Sequence, residues 1–317
     1  PPDSVSCHCP RVSAETIKQI AVWILVQFFP FGVNYLIENG AKVIVTPGFL
    51  QGDALAEVVP ANPDVKFIFV DGWNMQCENL TAICYHEEES GFFAGYGAVM
   101  DGYTKLGGTF GGDGTNAACN RFAYGYVQGI KAAAAAKSAT GIEVKISFQY
   151  GGGFSASPEL QAQIAGWYNS GTEVVFSCGG SMLQSVKAAA KEYTGSKIIG
   201  VDVDQHSEDP ERVITSAVKG LSVSVQLVLE QWKNGEWDTK LKDKTSNLGV
   251  KEDATGLPTA AESWGFKTWT VAQYNTLFQS VVSGATVIDA ETPEDVKANS
   301  GKFFTDLTNT AVTVLYE

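Results

Sequence analysis

The chain is poor in the groups that most catalysis relies on. It has only three histidines, His8, His86 and His206, and none has a clear nucleophile beside it. The six cysteines, Cys7, Cys9, Cys77, Cys84, Cys119 and Cys178, include no CxxC pair, which argues against a zinc site. Clustered Lys and Arg are missing too. With a net charge of -13 over 317 residues, the surface lacks the cation density that phosphate backbones require, so nucleic acid is not an expected partner. No apolar run reaches the roughly 20 residues of a membrane helix. The longest, IAVWILVQFFPFGV at 20–33, is interrupted by Pro30 and Gly32 and is expected to be a core element. No charged segment and cleavage site precede it, so no signal peptide is expected within these residues. An acidic, soluble monomer is the plain expectation.

Familiar catalytic spacings are also missing. His86 is followed by Glu87, Glu88 and Glu89, which does not make HExxH. Acids at that place are expected to complement a helix N-terminus. Ser90-Gly91 and Ser177-Cys178-Gly179-Gly180 do not form a GxSxG elbow, and GGTFGGDG lacks the lysine of a phosphate-binding loop. Asp202 and His206 lie four residues apart in a loop, a spacing that fixes no base-and-orienter geometry. No metal and no cofactor are expected.

What the sequence does have is apolar residues in abundance, 44% of the chain, and 33 glycines. Short apolar runs alternate with helical patterns. Strands are expected at 41–49, 65–72, 105–112, 143–152, 172–180, 197–204 and 213–220. Helices are expected at 51–63, 91–103, 116–137, 157–171, 181–195, 221–237 and 268–284. Ser157 and Thr270 stand as N-caps, with Pro158 at a first helical position. This alternation predicts an α/β architecture with parallel sheets covered on both faces.

The polar and glycine residues collect at strand ends. Asp71-Gly72, Gly111-Gly112-Asp113, Gly151 to Phe154, Gly179-Gly180 and Asp202 to Gln205 all close predicted strands, the edge where open α/β sheets bind ligands. Glycines there let backbone approach a ligand, and the following helices offer free N–H groups. In IIGVDVDQ, residues 198–205, an apolar strand ends in two acids. They are expected on different faces, Asp202 toward the ligand and Asp204 bracing the turn. Cys77 and Cys84 are close enough in sequence either to bridge or to remain free thiols.

Seven stretches occur together in a recognisable order: NGAKVIVTPGFL, PDVKFIFVDG, EEESGFFAGYGAVM, LGGTFGG with RFAYGYVQG, EVVFSCGG, IIGVDVDQ and ITSAVKG. Over residues 34–317 the chain resembles the basic membrane protein family, purine-nucleoside receptor-like substrate-binding lipoproteins of ABC transporters. The resemblance implies a type I periplasmic-binding fold, two doubly wound parallel-sheet lobes joined by a hinge. Lobe I would comprise 1–103 and 217–245, and lobe II 104–216 and 246–317. It implies a nucleoside held in the cleft, a permease as partner, no chemistry, and an extracytoplasmic location with a lipid anchor in the precursor.

Position by position, Asp71 resembles an acid that bonds the purine, and Phe176 an aromatic that stacks on it. Asp202 and Lys219 resemble groups that hold ribose hydroxyls, with Gly179, Gly180 and Asp204 beside them. The roles are physically apt. A ring face stacks on a base for about 1–3 kcal/mol, and a carboxylate accepts from a diol more strongly than a neutral acceptor. A lysine beside Asp202 would orient it. Residues 1–33 depart from the family, carrying no Ser-Phe-Asn element to supply a second stacking aromatic; Phe28, Phe29 or Phe31 would be the replacement.

Two other classes remain open on sequence grounds. A nucleoside hydrolase or phosphorylase on a similar frame would need an acid cluster or an activating base facing the ligand. A sugar- or autoinducer-binding relative, or a sensor lobe of the same fold, would dispense with the purine contacts of Asp71.

Overall fold

The computed structural model describes residues 20–22, 29–149, 153–299 and 301–317. Cys7, His8, Cys9, Phe28 and Gly151 lie outside them, as do the side chains of Phe29 and Phe31. The chain divides into two compact units, the first ending at Cys84 and resuming over Ser222–Asn247, the second comprising Tyr85–Leu221 and Leu248–Glu317. It therefore passes between units three times. The expected lobe I runs to residue 103, whereas residues 85–103 fall in the second unit; the other two boundaries lie within five residues of those expected.

Unit 1 is built on strands β1 (Ile20–Val22), β2 (Val43–Pro47), β3 (Lys66–Val70), β4 (Leu80–Tyr85) and β10 (Lys244–Leu248), side by side in that order. The β1–β2, β2–β3 and β3–β4 pairings are parallel. Helices α1 (Phe29–Glu38) and α2 (Gly52–Ala61) belong to this unit. Its core joins Val33, Ile44, Leu55, Val59, Phe67, Phe69 and Leu80. Val43, Ile44 and Val45 are all buried, as expected of a strand covered on both faces.

Unit 2 carries a seven-stranded sheet in the order β11-β9-β8-β7-β5-β6-β12. The strands are β5 (Lys105–Phe110), β6 (Ile142–Phe148), β7 (Val174–Cys178), β8 (Lys197–Asp202), β9 (Val213–Lys219), β11 (Thr255–Gly256) and β12 (Val312–Tyr316). All neighbours are parallel except the short β11 against β9. One face holds α3 (Glu87–Met100), α4 (Ala117–Lys137) and α8 (Val271–Val282); the other holds α5 (Pro158–Asn169) and α6 (Met182–Ala190). The chain leaves β5 for β6 on one side and β7 on the other, so the switch of strand order lies between β5 and β7. Helix α7 (Leu221–Lys233) leads back into unit 1, and the short α9 (Lys302–Thr305) precedes β12.

Packing explains why residues 85–103 sit in unit 2. Helices α3 and α4 meet through glycines. A methyl group on Gly91 would strike the Phe122 carbonyl, and one on Gly95 the Tyr126 carbonyl. From the other side, Gly125 lies against the Glu88 carbonyl and Gly129 against that of Phe92. Such approach of two helix backbones is open only to residues without a Cβ, which accounts for Gly91 and Gly95 of GFFAGYG; Gly97 instead lies against the Trp269 ring. Helix α3 begins at Glu87, four residues before the expected start. Ser157 caps α5 by accepting from the Leu160 N–H at 3.1 Å, and Thr270 caps α8 with Gln273 in a capping box.

Candidate functional site

Asp202 closes β8, and its backbone is left-handed, with φ 65°. That conformation strains a residue with a side chain, by roughly 1–3 kcal/mol, and is tolerated where surroundings enforce it. Here Gln205 enforces it. Its side-chain carbonyl accepts from the Val201 N–H at 2.9 Å, and its own N–H donates to Ser216 Oγ at 3.0 Å. The turn is thus laced onto β8 and β9. The strand ends at Asp202, so this turn is what separates the two acids; strand alternation would have placed residues 202 and 204 on one face.

Asp204 is occupied. Its Oδ1 accepts from the His206 N–H at 3.0 Å and its Oδ2 from the Ser263 hydroxyl. Both bonds tie the Asp204 carboxylate into the turn and to Ser263.

Lys219 ends β9, next to Asp202 across the β8–β9 pairing, in which Asp202 faces Val218. Its side chain is 4% exposed. The ammonium lies 3.4 Å from Asp202 Oδ1 and 3.5 Å from Glu87 Oε1. It also sits 5.5 Å from the Tyr85 ring centre and 5.4 Å from that of Phe122, within cation–π range. Such burial leaves it little direct access to a ligand. Its ammonium stands behind Asp202, whose side chain is 41% exposed.

Behind Lys219 runs a chain of charges that sequence reasoning missed. Glu87, 1% exposed, accepts from Arg121 Nε at 2.7 Å. Arg121 lies 3.8 Å from Glu88, and Glu88 pairs with His86 Nδ1 at 2.8 Å. The hydrogen bond to Glu88 raises the His86 pKa above its ordinary value against the opposing effect of burial. Glu89 accepts from the Val250 N–H and the Thr255 hydroxyl, yet burial still pushes its pKa up. The three acids do open a helix, as expected, but each also has a specific partner. The usable signal was HEEES leading straight into GFFAGYG: a helix start this tightly packed cannot leave its acids on a solvated face.

Phe176 does not stand where a base could reach it. Along β7, Val174, Phe176 and Cys178 face α4 while Val175 faces α5 and α6. The Phe176 ring is fully buried among Phe110, Phe122 and Tyr126, at centroid distances of 5.4, 5.9 and 5.3 Å. The expected stacking role is corrected accordingly, since no ring face is open.

Gly179 and Gly180 follow β7 at the switch point, with φ of 147° and 41°. The group that approaches them is a side chain of the same unit. Phe154 lies 3.1 Å from a Cβ placed on Gly179, its ring would overlap one on Gly111, and its carbonyl accepts from the Ser181 N–H at 2.8 Å. Nearby, Asp113 is left-handed at φ 56° and pairs with Lys297 at 2.8 Å, while its buried Oδ1 has no partner.

Asp71 belongs to unit 1, following β3 with φ 55°, and is half-buried. The structure therefore brings together Asp202 and Lys219, with Asp204 in the adjoining turn, and places Asp71 in the other unit. Cys77 is a free thiol, and Cys84 donates to the Gly72 carbonyl at 2.8 Å. Among the described residues no group of three or more His, Cys, Asp or Glu could hold a metal ion. No helix among them is long and apolar enough to cross a membrane.

Two α/β units are thus linked by three chain passages, with acids at the carboxyl ends of parallel strands. The chain is similar in fold to an ABC transporter solute-binding protein from Aeropyrum pernix K1, with a TM-score of 0.66 at 20% identity over 88% of this chain and 85% of that one. It is similar also to a transcriptional activator of the comK gene from Bacillus halodurans, at 0.63 and 18% over 82% and 83%.

The family described as ABC transporter substrate-binding protein PnrA-like matches residues 33–288, and the chain belongs to it. Relatives include the ABC transporter nucleoside-binding protein BmpA of Lactococcus lactis, 29% identical over 64% of this chain and 60% of that protein. Basic membrane protein D of Borreliella burgdorferi is 32% identical over 70% and 63%. The chain thus spans less than two thirds of the length of these relatives.

Proposed function

We propose that this protein is an extracytoplasmic solute-binding protein that captures a purine nucleoside and delivers it to an ABC permease, without chemistry. The observation that carries the reading is the Asp202–Lys219 pair. A half-exposed carboxylate stands at the end of a buried strand, its backbone locked, with a buried ammonium 3.4 Å behind it. Such a carboxylate is an acceptor suited to the two adjacent hydroxyls of a ribose, where charge-assisted bonds are about twice as strong as neutral ones. Membership of a substrate-binding family supports capture over turnover, and the nucleoside-binding relative supports the choice of ligand. The protein would act as a monomer, held at the membrane by a lipid anchor on the native precursor.

Calorimetric titration with guanosine, inosine and adenosine, followed by chromatography of the recovered ligand, tests this reading. Saturable heat with intact nucleoside supports it. No heat with any of the three, or release of free base, contradicts it.

A further inference from the structure

Unit 2 holds two thiols in contact. Cys119 lies in the first turn of α4, and Cys178 is the last residue of β7. Their sulfurs are 4.0 Å apart, and the two residues are 6% and 1% exposed. In unit 1, by contrast, Cys77 and Cys84 turn their thiols to the Met75 and Gly72 carbonyls, at 3.5 and 2.8 Å.

The sulfur contact tops a ladder between β7 and α4. Below it, the Phe176 ring meets Phe122 and Tyr126 at 5.9 and 5.3 Å and sets the separation of strand and helix. Both cysteines are also anchored through their backbones. Asn116 Oδ1 accepts from the Cys119 N–H at 3.0 Å, and the Cys178 carbonyl accepts from the Gly111 N–H at 2.9 Å. A disulfide needs its sulfurs about 2.05 Å apart, so the pair has to close by about 2 Å. The place of the pair gives that bond a consequence. Cys119 follows the loop after β5 and Cys178 opens the loop after β7, the two loops that flank the switch of strand order.

We propose that Cys119 and Cys178 form a reversible disulfide that ties together the two loops flanking the switch point of unit 2. The inference concerns unit 2 alone and holds whichever solute the protein takes. The oxidant is a low-molecular-weight disulfide, of the kind that persists outside the cytoplasm. Cys119, the less buried of the two and in a helical first turn that opens readily, reacts first. Burial, and the Cys119 sulfur against it, push the Cys178 thiol well above its usual range, which suits it to the second step. The Cys119 thiolate attacks one sulfur of the oxidant and expels the other half as a thiolate. The Cys178 thiolate then attacks the Cys119 sulfur and expels the second half. Two protein thiols are oxidised, one small disulfide is reduced to two thiols, and the two protons pass to them. The bond closes a loop of about 60 residues and so removes freedom from the unfolded chain.

The test exposes the folded, fully reduced protein to oxidised glutathione, alkylates the remaining thiols after unfolding, and maps peptides by mass spectrometry without reduction. The expected result is a linked pair of peptides holding Cys119 and Cys178, lighter than their sum by a pair of hydrogens. The Tm rises above that of the reduced protein by about 5–10 °C, and dithiothreitol reverses both changes. In Cys119→Ala and Cys178→Ala the linked pair is missing and oxidised glutathione leaves the Tm unchanged. Recovery of both cysteines as alkylated thiols, or carrying glutathione without a link between them, overturns the inference. So does a link that leaves the Tm unchanged or lowers it. The wild-type peptide map decides the matter even where a variant fails to fold.

Discussion

Lys219 is the residue on which the local energetics turn. Two carboxylates share its ammonium, and one of them, Glu87, is buried with Arg121. Removing one member of a buried ionic group leaves the others uncompensated, at a cost of about 3–5 kcal/mol. Lys219→Met is therefore expected to lower stability by about 3 kcal/mol or more in urea unfolding. Lys240→Met, which breaks the exposed pair with Glu236 at 2.9 Å, should change it by only about 0.5 kcal/mol.

His86 gives a pH-dependent counterpart. Its folded pKa is raised by Glu88, so its contribution to stability is fully present below the unfolded value near 6.5 and is lost as pH rises through the folded value. The stability difference between wild type and His86→Gln should shrink from pH 5.5 to pH 8.5, and an NMR titration of the imidazole should give a midpoint above 6.5. A difference that grows with pH would contradict the assigned hydrogen bond.

The residue scale is also where the sequence is hardest to read. Asp202 is legible because an acid directly after an apolar strand is conspicuous. The burial of Lys219 is not, since its partner Glu87 is remote in the chain and only folding joins them. Phe176 misleads for a different reason. In a parallel strand covered on both faces every residue is apolar, so nothing in VVFSC tells which side chains meet helices and which reach an edge.

Among the elements, the α3–α4 contact makes the sharpest claim. Ordinarily Gly→Ala inside a helix gains up to about 1 kcal/mol. At Gly125 the new methyl group would run into the Glu88 carbonyl, and overpacking of this kind costs about 1–3 kcal/mol. At Gly166 in α5 a methyl group would meet nothing within 4 Å, so Gly166→Ala should stabilise. Opposite signs for the two variants in thermal melts are the expected outcome; two stabilising substitutions would refute the packing.

Most elements can be read from period and caps, including the Ser157 and Thr270 caps. Strands β4 and β12 cannot. LTAICY precedes a run of acids that reads as loop, and VTVLY is a short terminal run whose partner, β6, lies far back in the chain. The true start of helix α3 is hidden because its first turn is HEEE, which reads as solvated until the buried partners are seen.

For the whole molecule, the sequence shows an α/β chain that visits two units and returns. The first passage between units falls at residues 84–85 rather than at 103, and α3 is tied to unit 2 by its glycine contact with α4 and by the bonds of Glu89 and Ser90 to Val250, Thr255 and Val218. A ligand that binds the folded state alone must also stabilise it. At a hundredfold excess over Kd, a nucleoside should add about 2.7 kcal/mol to the stability of the cooperative unit it binds, visible as a raised Tm. Free ribose at the same concentration should add far less.

The role of Asp202 as the acceptor for the sugar diol is tested most directly by a single calorimetric comparison. Wild type and Asp202→Asn are each titrated with inosine and with 2′,3′-dideoxyinosine. Wild type should bind inosine at least about tenfold more tightly than the dideoxy analogue, given about 1.5–3 kcal/mol for a bond to a charged group, and in Asp202→Asn that preference should nearly vanish. A wild type indifferent to the missing hydroxyls, or a variant that keeps the full preference, would contradict it.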